Sequence, residues 1–129
     1  MAPLDPHHAV LRRQWAAEVR QLEQRRLQLL SAAAEAAGCL RRRWPCLKEV
    51  WLFGSVLESK RFRRHSDIDL AVEGLAPADQ SEAMGLVEQV LDRNLETAGE
   101  PGCSIDLVRL EDLDPHWRQR IRQRALQLA

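Results

Sequence analysis

Glu49-Val50-Trp51-Leu52-Phe53-Gly54-Ser55, followed eleven residues later by Asp67-Ile68-Asp69-Leu70-Ala71-Val72, is the stretch on which the fold turns. The first five residues form a short apolar run stopped by a glycine, the pattern of a buried strand. In the second segment a strand places alternate residues on alternate faces, so Ile68, Leu70 and Val72 point one way and Asp67 and Asp69 the other. Ser104-Ile105-Asp106-Leu107-Val108-Arg109-Leu110 reads as a third strand, with Asp106 inside it. A carboxylate among apolar neighbours loses hydration on burial, and something must offset that cost. Arginine partners would do so. Two carboxylates on one face and a third from another strand also suit a hard divalent cation, since Mg2+ takes oxygen ligands and keeps positions open for phosphate. The plainer reading is an acidic pair exposed at a strand end. Gly54 lets backbone approach a ligand closely, and Ser55 offers its hydroxyl and its N–H to a phosphate.

Outward from this centre the pattern turns helical. Asp5-Pro6 is a capped helix start. Leu11, Trp15, Val19, Leu22, Leu29, Ala33, Ala36 and Leu40 then recur at helical steps, one stripe of a long amphipathic helix. Gly38 is a candidate break in that helix, and Trp44-Pro45 ends it, because the residue before a proline is pushed out of the helical region. Pro77 and Asp79 open a helix with Met84, Val87, Val90 or Leu91, and Leu95 on its inner face. Asp114-Pro115 opens a last one, with Trp117, Ile121, Ala125 and Leu128 facing inward. The order is helix, strand, strand, helix, strand, helix, with room for a short helix between the first two strands. It predicts an α/β domain with a small sheet.

The chain has 129 residues, 45% hydrophobic and 29% charged, which are ordinary globular proportions and fit one domain. No apolar run reaches the ~18 to 20 residues of a membrane span, and no export signal is visible, so a cytoplasmic protein is expected. Cys39, Cys46 and Cys103 match no zinc spacing and read as small buried side chains. The net charge of zero hides a pattern: residues 1–65 carry 13 basic and 6 acidic side chains, residues 66–115 carry 2 and 13, and residues 116–129 carry 4 and none. The acidic middle holds all three strand aspartates and invites a cation or a basic partner. Arg41-Arg42-Arg43-Trp44, a lone basic cluster without interleaved aromatics, is a weak nucleic-acid signal.

The set Leu52-Phe53-Gly54-Ser55, Ser66-Asp67-Ile68-Asp69-Leu70-Ala71-Val72 and Ile105-Asp106-Leu107-Val108 resembles the core of the DNA polymerase β-like nucleotidyltransferases. More narrowly, it is similar to the minimal nucleotidyltransferases that act as antitoxins in HEPN/MNT pairs. The resemblance runs from about residue 49 to the end. It implies a nucleotidyltransferase fold, an α/β (α+β) arrangement in which a small mixed sheet is flanked by helices, with residues 49–129 as catalytic core; the long N-terminal helix over residues 1–40 is read from its apolar stripe, and the length fits a single 1–129 domain. It implies two Mg2+ ions held by Asp67, Asp69 and Asp106 as metal ligands and catalytic residues, and ATP as substrate with its phosphates on Gly54 and Ser55. The expected reaction is transfer of AMP to a HEPN-type toxin, most simply to a tyrosine. The spacer of eleven residues exceeds the common form by one. Many members follow Gly-Ser with arginine and glycine, where this chain has Val56-Leu57-Glu58-Ser59. Lys60 and Arg61, with Arg63 and Arg64 behind them, are the substitutes at hand for phosphate contact. A non-catalytic module that neutralises a toxin by contact is the alternative. The face of the first helix bearing Arg12, Arg13, Arg20, Arg25 and Arg26 is the expected docking surface, and a solvated helix face is the plain alternative.

Overall fold

The computed structural model describes residues 6–129. Helix α1 spans Pro6–Arg43, β1 Glu49–Phe53, β2 Ile68–Glu73, α2 Gln80–Thr97, β3 Ile105–Arg109, α3 Pro115–Arg124 and β4 Leu126–Gln127, with one-turn 3-10 helices at Ser55–Leu57, Pro77–Asp79 and Leu110–Asp112. The four strands form one mixed sheet in the order β3-β2-β1-β4. β1 is antiparallel to both β2 and β4, whereas β3 runs parallel to β2. A parallel neighbour needs a crossover, and α2 supplies it.

One face of the sheet carries the main core. Val50 and Leu52 of β1, Ile68, Leu70 and Val72 of β2, and Leu107 of β3 are buried against Leu29, Ala33, Ala36 and Leu40 of α1 and Val87, Val90, Leu91 and Leu95 of α2. These positions recur at three and four on the helices and at two on the strands, as the sequence pattern requires. The other face is only partly covered: Trp51, Ala71, Leu110 and Ile121 make a small second cluster where α3 lies on the sheet. Alternation puts Asp69 and Asp106 on this less covered face, level with Ala71 and Val108.

Four expectations need correction. The long stripe of α1 is buried only in its second half. None of residues 6–24 is buried, and Leu11, Trp15 and Val19 are 47, 70 and 52% exposed. Periodicity reports a face and not its partner: Leu11, Trp15 and Val19 stand in solvent, and Leu22, the next position of the stripe, packs against the core. Second, the helix passes through Gly38 and stops at Arg43 rather than residue 40, ended by Trp44-Pro45 as expected; its Asp5 cap lies outside the described residues. Third, the last helix ends at Arg124. Residues 126–127 become an edge strand on β1, and Trp117, expected inside, is 51% exposed. Fourth, Cys46 is exposed, while Cys39 and Cys103 are partly buried, all three as free thiols. The Asp114 cap of α3 is present, its carboxylate accepting the Trp117 N–H at 3.0 Å.

Candidate active site

The parallel register of β2 and β3 places Asp69 directly beside Asp106, on strands about 4.8 Å apart. Asp67 stands two residues before Asp69, immediately ahead of β2. The three expected aspartates therefore share one end of the sheet. They do not close round a point: among the described residues no three Asp, Glu, His or Cys side chains form a ready ligand cluster. Asp67 and Asp106 are exposed and Asp69 is half-buried.

None of the three carboxylates forms an ion pair or accepts a hydrogen bond from another described residue. Elsewhere the arginines find acids: Arg43 pairs with Glu82, Arg109 with Glu111 and Asp112, and Arg122 with Glu49 and Glu73. Burial, reinforced by the charges of Asp106 and then Asp67, raises the Asp69 carboxyl above its ordinary value. Gly54 closes one side of this carboxylate. Its backbone has φ 93 and ψ −166, and a Cβ there would come to 2.5 Å from Asp69 Oδ2. An oxygen-only donor set, mutually repelling, free of ion pairs to described residues and opened by a missing Cβ, fits a hard divalent cation.

Ser55 opens the 3-10 turn after Gly54, which is closed by the Leu57 N–H on Gly54 O at 3.2 Å and the Glu58 N–H on Ser55 O at 3.0 Å. The Ser55 hydroxyl has no partner among the described residues. Of the basic loop, Arg61 reaches the groove beside Gly54 while paired with Glu58 at 3.5 Å. Lys60 is exposed in the turn and does not line that groove. The Arg63 guanidinium is occupied by the carbonyls of Lys60 and Phe62, both at 3.0 Å. Arg64 lines a separate hollow with Asp67 and Cys103. The Cys103 thiol is pushed up by burial, which makes it a poor nucleophile.

Two residues of the expected docking face have a different task. Arg25, 4% exposed, donates to Pro101 O at 2.9 Å and Gly102 O at 3.1 Å and pairs with Glu100. It thereby fixes the loop that leads into β3 and Asp106. Arg26 donates to Val56 O at 3.1 Å, braced by Glu23, and fixes the turn after Gly54. These are positioning residues, each holding a site-bearing segment against α1. Sequence reading missed them because both lie beside the stripe, where an arginine passes for solvated surface. The Arg41–Trp44 cluster is likewise engaged: Arg41 bonds Lys48 O, and Arg43 lies over the Trp44 ring at 4.8 Å.

Residues 40–128 match the family described as Polymerase beta, Nucleotidyltransferase. No curated protein matches the sequence. Among solved structures, the chain is similar to a toxin–antitoxin with AMP-PNP, at 24% identity over 74% of this chain and 72% of that one, with a TM-score of 0.49. It is similar to the toxin–antitoxin MntA-HepT, at 21% identity over 78% and 71% of the two chains and a TM-score of 0.46. A third similar structure is tri-AMPylated Shewanella oneidensis HEPN toxin in complex with MNT antitoxin, at 24% identity, 79% and 71% coverage and a TM-score of 0.46. The family match covers well over half of the chain and contains Gly54, Ser55 and all three aspartates, so this protein belongs to the polymerase beta nucleotidyltransferases.

Proposed function

We propose that the protein transfers AMP from ATP to a hydroxyl of a partner protein, a tyrosine of a HEPN-type toxin, and acts as its antitoxin in the cytoplasm. The observation that carries the reading is the side-by-side placement of Asp69 and Asp106, with Asp67 adjacent and none of the three held in an ion pair with a described residue. These three carboxylates would hold two magnesium ions, which when bound activate the attacking hydroxyl and brace the departing phosphates. Around them the chain's own groups orient the substrate. Gly54 admits phosphate close to the backbone, the Ser55 hydroxyl donates to a phosphate oxygen, and Arg61 adds positive charge. The new bond joins the acceptor oxygen to the α-phosphorus, and the bond from that phosphorus to pyrophosphate breaks. The chain has no tyrosine, so a tyrosyl acceptor must come from another molecule.

The partner's docking place, on this reading, is the uncovered half of α1, where Leu11, Trp15 and Val19 form an apolar stripe beside Arg12, Arg13 and Arg20. Arg25 and Arg26, engaged within the chain, are removed from that surface. The same stripe favours a second reading, inhibition by contact alone, as does Val56-Leu57-Glu58-Ser59 where many relatives carry arginine and glycine. The experiment is to incubate the chain with α-labelled ATP, magnesium and a HEPN-type toxin, then map the label by mass spectrometry. Label on a partner tyrosine, lost with Asp69→Asn, supports transfer. Tight binding without label and without an ATP requirement overturns it in favour of contact inhibition.

A further inference from the structure

Beside the acidic edge lies a groove of about 400 Å³ between the Phe53–Arg61 segment and α3. We infer that this groove receives the nucleoside triphosphate, with the Trp117 ring stacking the base and Arg120 and Arg124 holding the phosphate chain. The inference rests on the nucleotidyltransferase reading of the adjoining site and deepens it by naming where the substrate lies.

Three observations converge. First, the groove shares a wall with the aspartates. Phe53 and Gly54 line it, Phe53 pairs with Asp69 across the strands, and Gly54 packs on the Asp69 carboxylate. Second, Trp117, Arg120 and Arg124 recur at steps of three and four, so one face of α3 presents an aromatic ring and two guanidinium groups to the groove. Arg124, at the end of α3, lines the groove together with Gly54, whose missing Cβ faces the Asp69 carboxylate. Trp117 then lies two helical turns away, about 10 Å along α3 at 1.5 Å per residue. The spacing follows a nucleotide from phosphate to base. Third, the charges are left over. Neither Arg120 nor Arg124 pairs with a described carboxylate; Arg120 lies over the Trp117 ring at 5.5 Å. An indole 51% exposed on a helix that is otherwise strongly polar is a surface a base can cover. The groove's basic side chains, Arg61, Arg120 and Arg124, outnumber its one acid, Glu58, and Gly54 joins it to the Asp69 carboxylate, so anionic phosphates in the groove would lie beside a cation held at that carboxylate. These arginines also supply the phosphate contact that Val56 and Leu57 cannot make.

Calorimetric titration of the full chain with MgATP and with magnesium tripolyphosphate tests the assignment. Trp117→Ala should weaken MgATP about tenfold or more and leave tripolyphosphate within about threefold, because only the base is lost. Trp117→Phe, which keeps a ring, should retain MgATP within about threefold. Arg124→Gln and Arg120→Gln should weaken both ligands about tenfold. If Trp117→Ala binds MgATP as the parent does while Asp69→Asn abolishes it, the base lies elsewhere and this inference falls, with the nucleotidyltransferase reading intact. A parent chain that binds no MgATP overturns both.

Discussion

Replacing Gly54 with alanine tests whether the missing Cβ serves the acidic edge. The backbone at φ 93 and ψ −166 lies in a region that essentially only glycine occupies. Forcing alanine into it costs about 1 to 3 kcal/mol. The new methyl would also start 2.5 Å from Asp69 Oδ2, so the carboxylate must swing away from its place beside Asp106. With an unfolding entropy of about 2.1 cal/mol/K per residue, the backbone strain alone lowers Tm by about 4 to 11 °C. On the proposed reading, in which Asp69 holds metal, displacing its carboxylate by about an ångström should cost at least about a hundredfold in turnover. Gly74 supplies the control: it too has φ +93, and a Cβ there would meet Cys46 O at 2.8 Å, but no aspartate. If the aspartates hold magnesium as proposed, Gly74→Ala should lose stability and keep the rise in Tm on adding magnesium, whereas Gly54→Ala should lose both. Scanning calorimetry with and without magnesium reads the two effects. In an Asp69→Ala background the Gly54→Ala penalty should shrink to its backbone part. The reasoning is refuted if that penalty is the same in both backgrounds and Gly54→Ala still responds to magnesium as the parent does.

Three further outcomes follow from the same contacts. Because Asp69 is raised in the folded state, the folded chain takes up its proton before the unfolded chain does, so this group's contribution to stability grows as pH falls through the raised value and levels off below 3.8; Asp69→Asn should raise Tm at neutral pH and remove that dependence, read as Tm against pH. Arg25→Met leaves the Pro101 and Gly102 carbonyls without their donor and should cost about 2 to 3 kcal/mol in urea unfolding. Trp15→Asp, on an exposed site, should change stability by less than about 0.5 kcal/mol yet, if the proposed docking face is right, abolish capture of a HEPN-type toxin in a pull-down.

The strands and the acidic edge were legible because both are written locally. Alternation over Ile68, Leu70 and Val72 fixed which way Asp69 faces, and apolar neighbours marked Asp106 as out of place on composition alone. What the sequence could not show depended on distant partners. Arg25 resembles any solvated arginine until the carbonyls of Pro101 and Gly102, 76 and 77 residues away, are seen around it. Trp117 falls on a helical stripe with Ile121, and periodicity gives both the same inward reading. The stripe is real, but the sheet covers only Ile121, and the ring stands over the groove. Residues 126–127 carried no strand signal of their own, since two residues become a strand only through the ladder to Trp51 and Leu52.

The attachment of α3 has a consequence for motion. One side chain of α3, Ile121, is buried, and Arg122 adds two ion pairs that are largely exposed and so worth little. Beyond it, Leu128 and Ala129 are clipped to Val50 by backbone hydrogen bonds. The helix is thus a flap fastened at its far end, lying over a sheet whose opposite face is locked by two long helices. Amide exchange should divide the molecule accordingly: α3 exchanges through local opening, while the amides of β2 and β3 wait for global unfolding. On that division the acidic edge belongs to the slow part and the Trp117–Arg124 wall to the fast part, so a ligand held in the groove as inferred would enter and leave by the movement of one helix while the carboxylates stay where the sheet puts them.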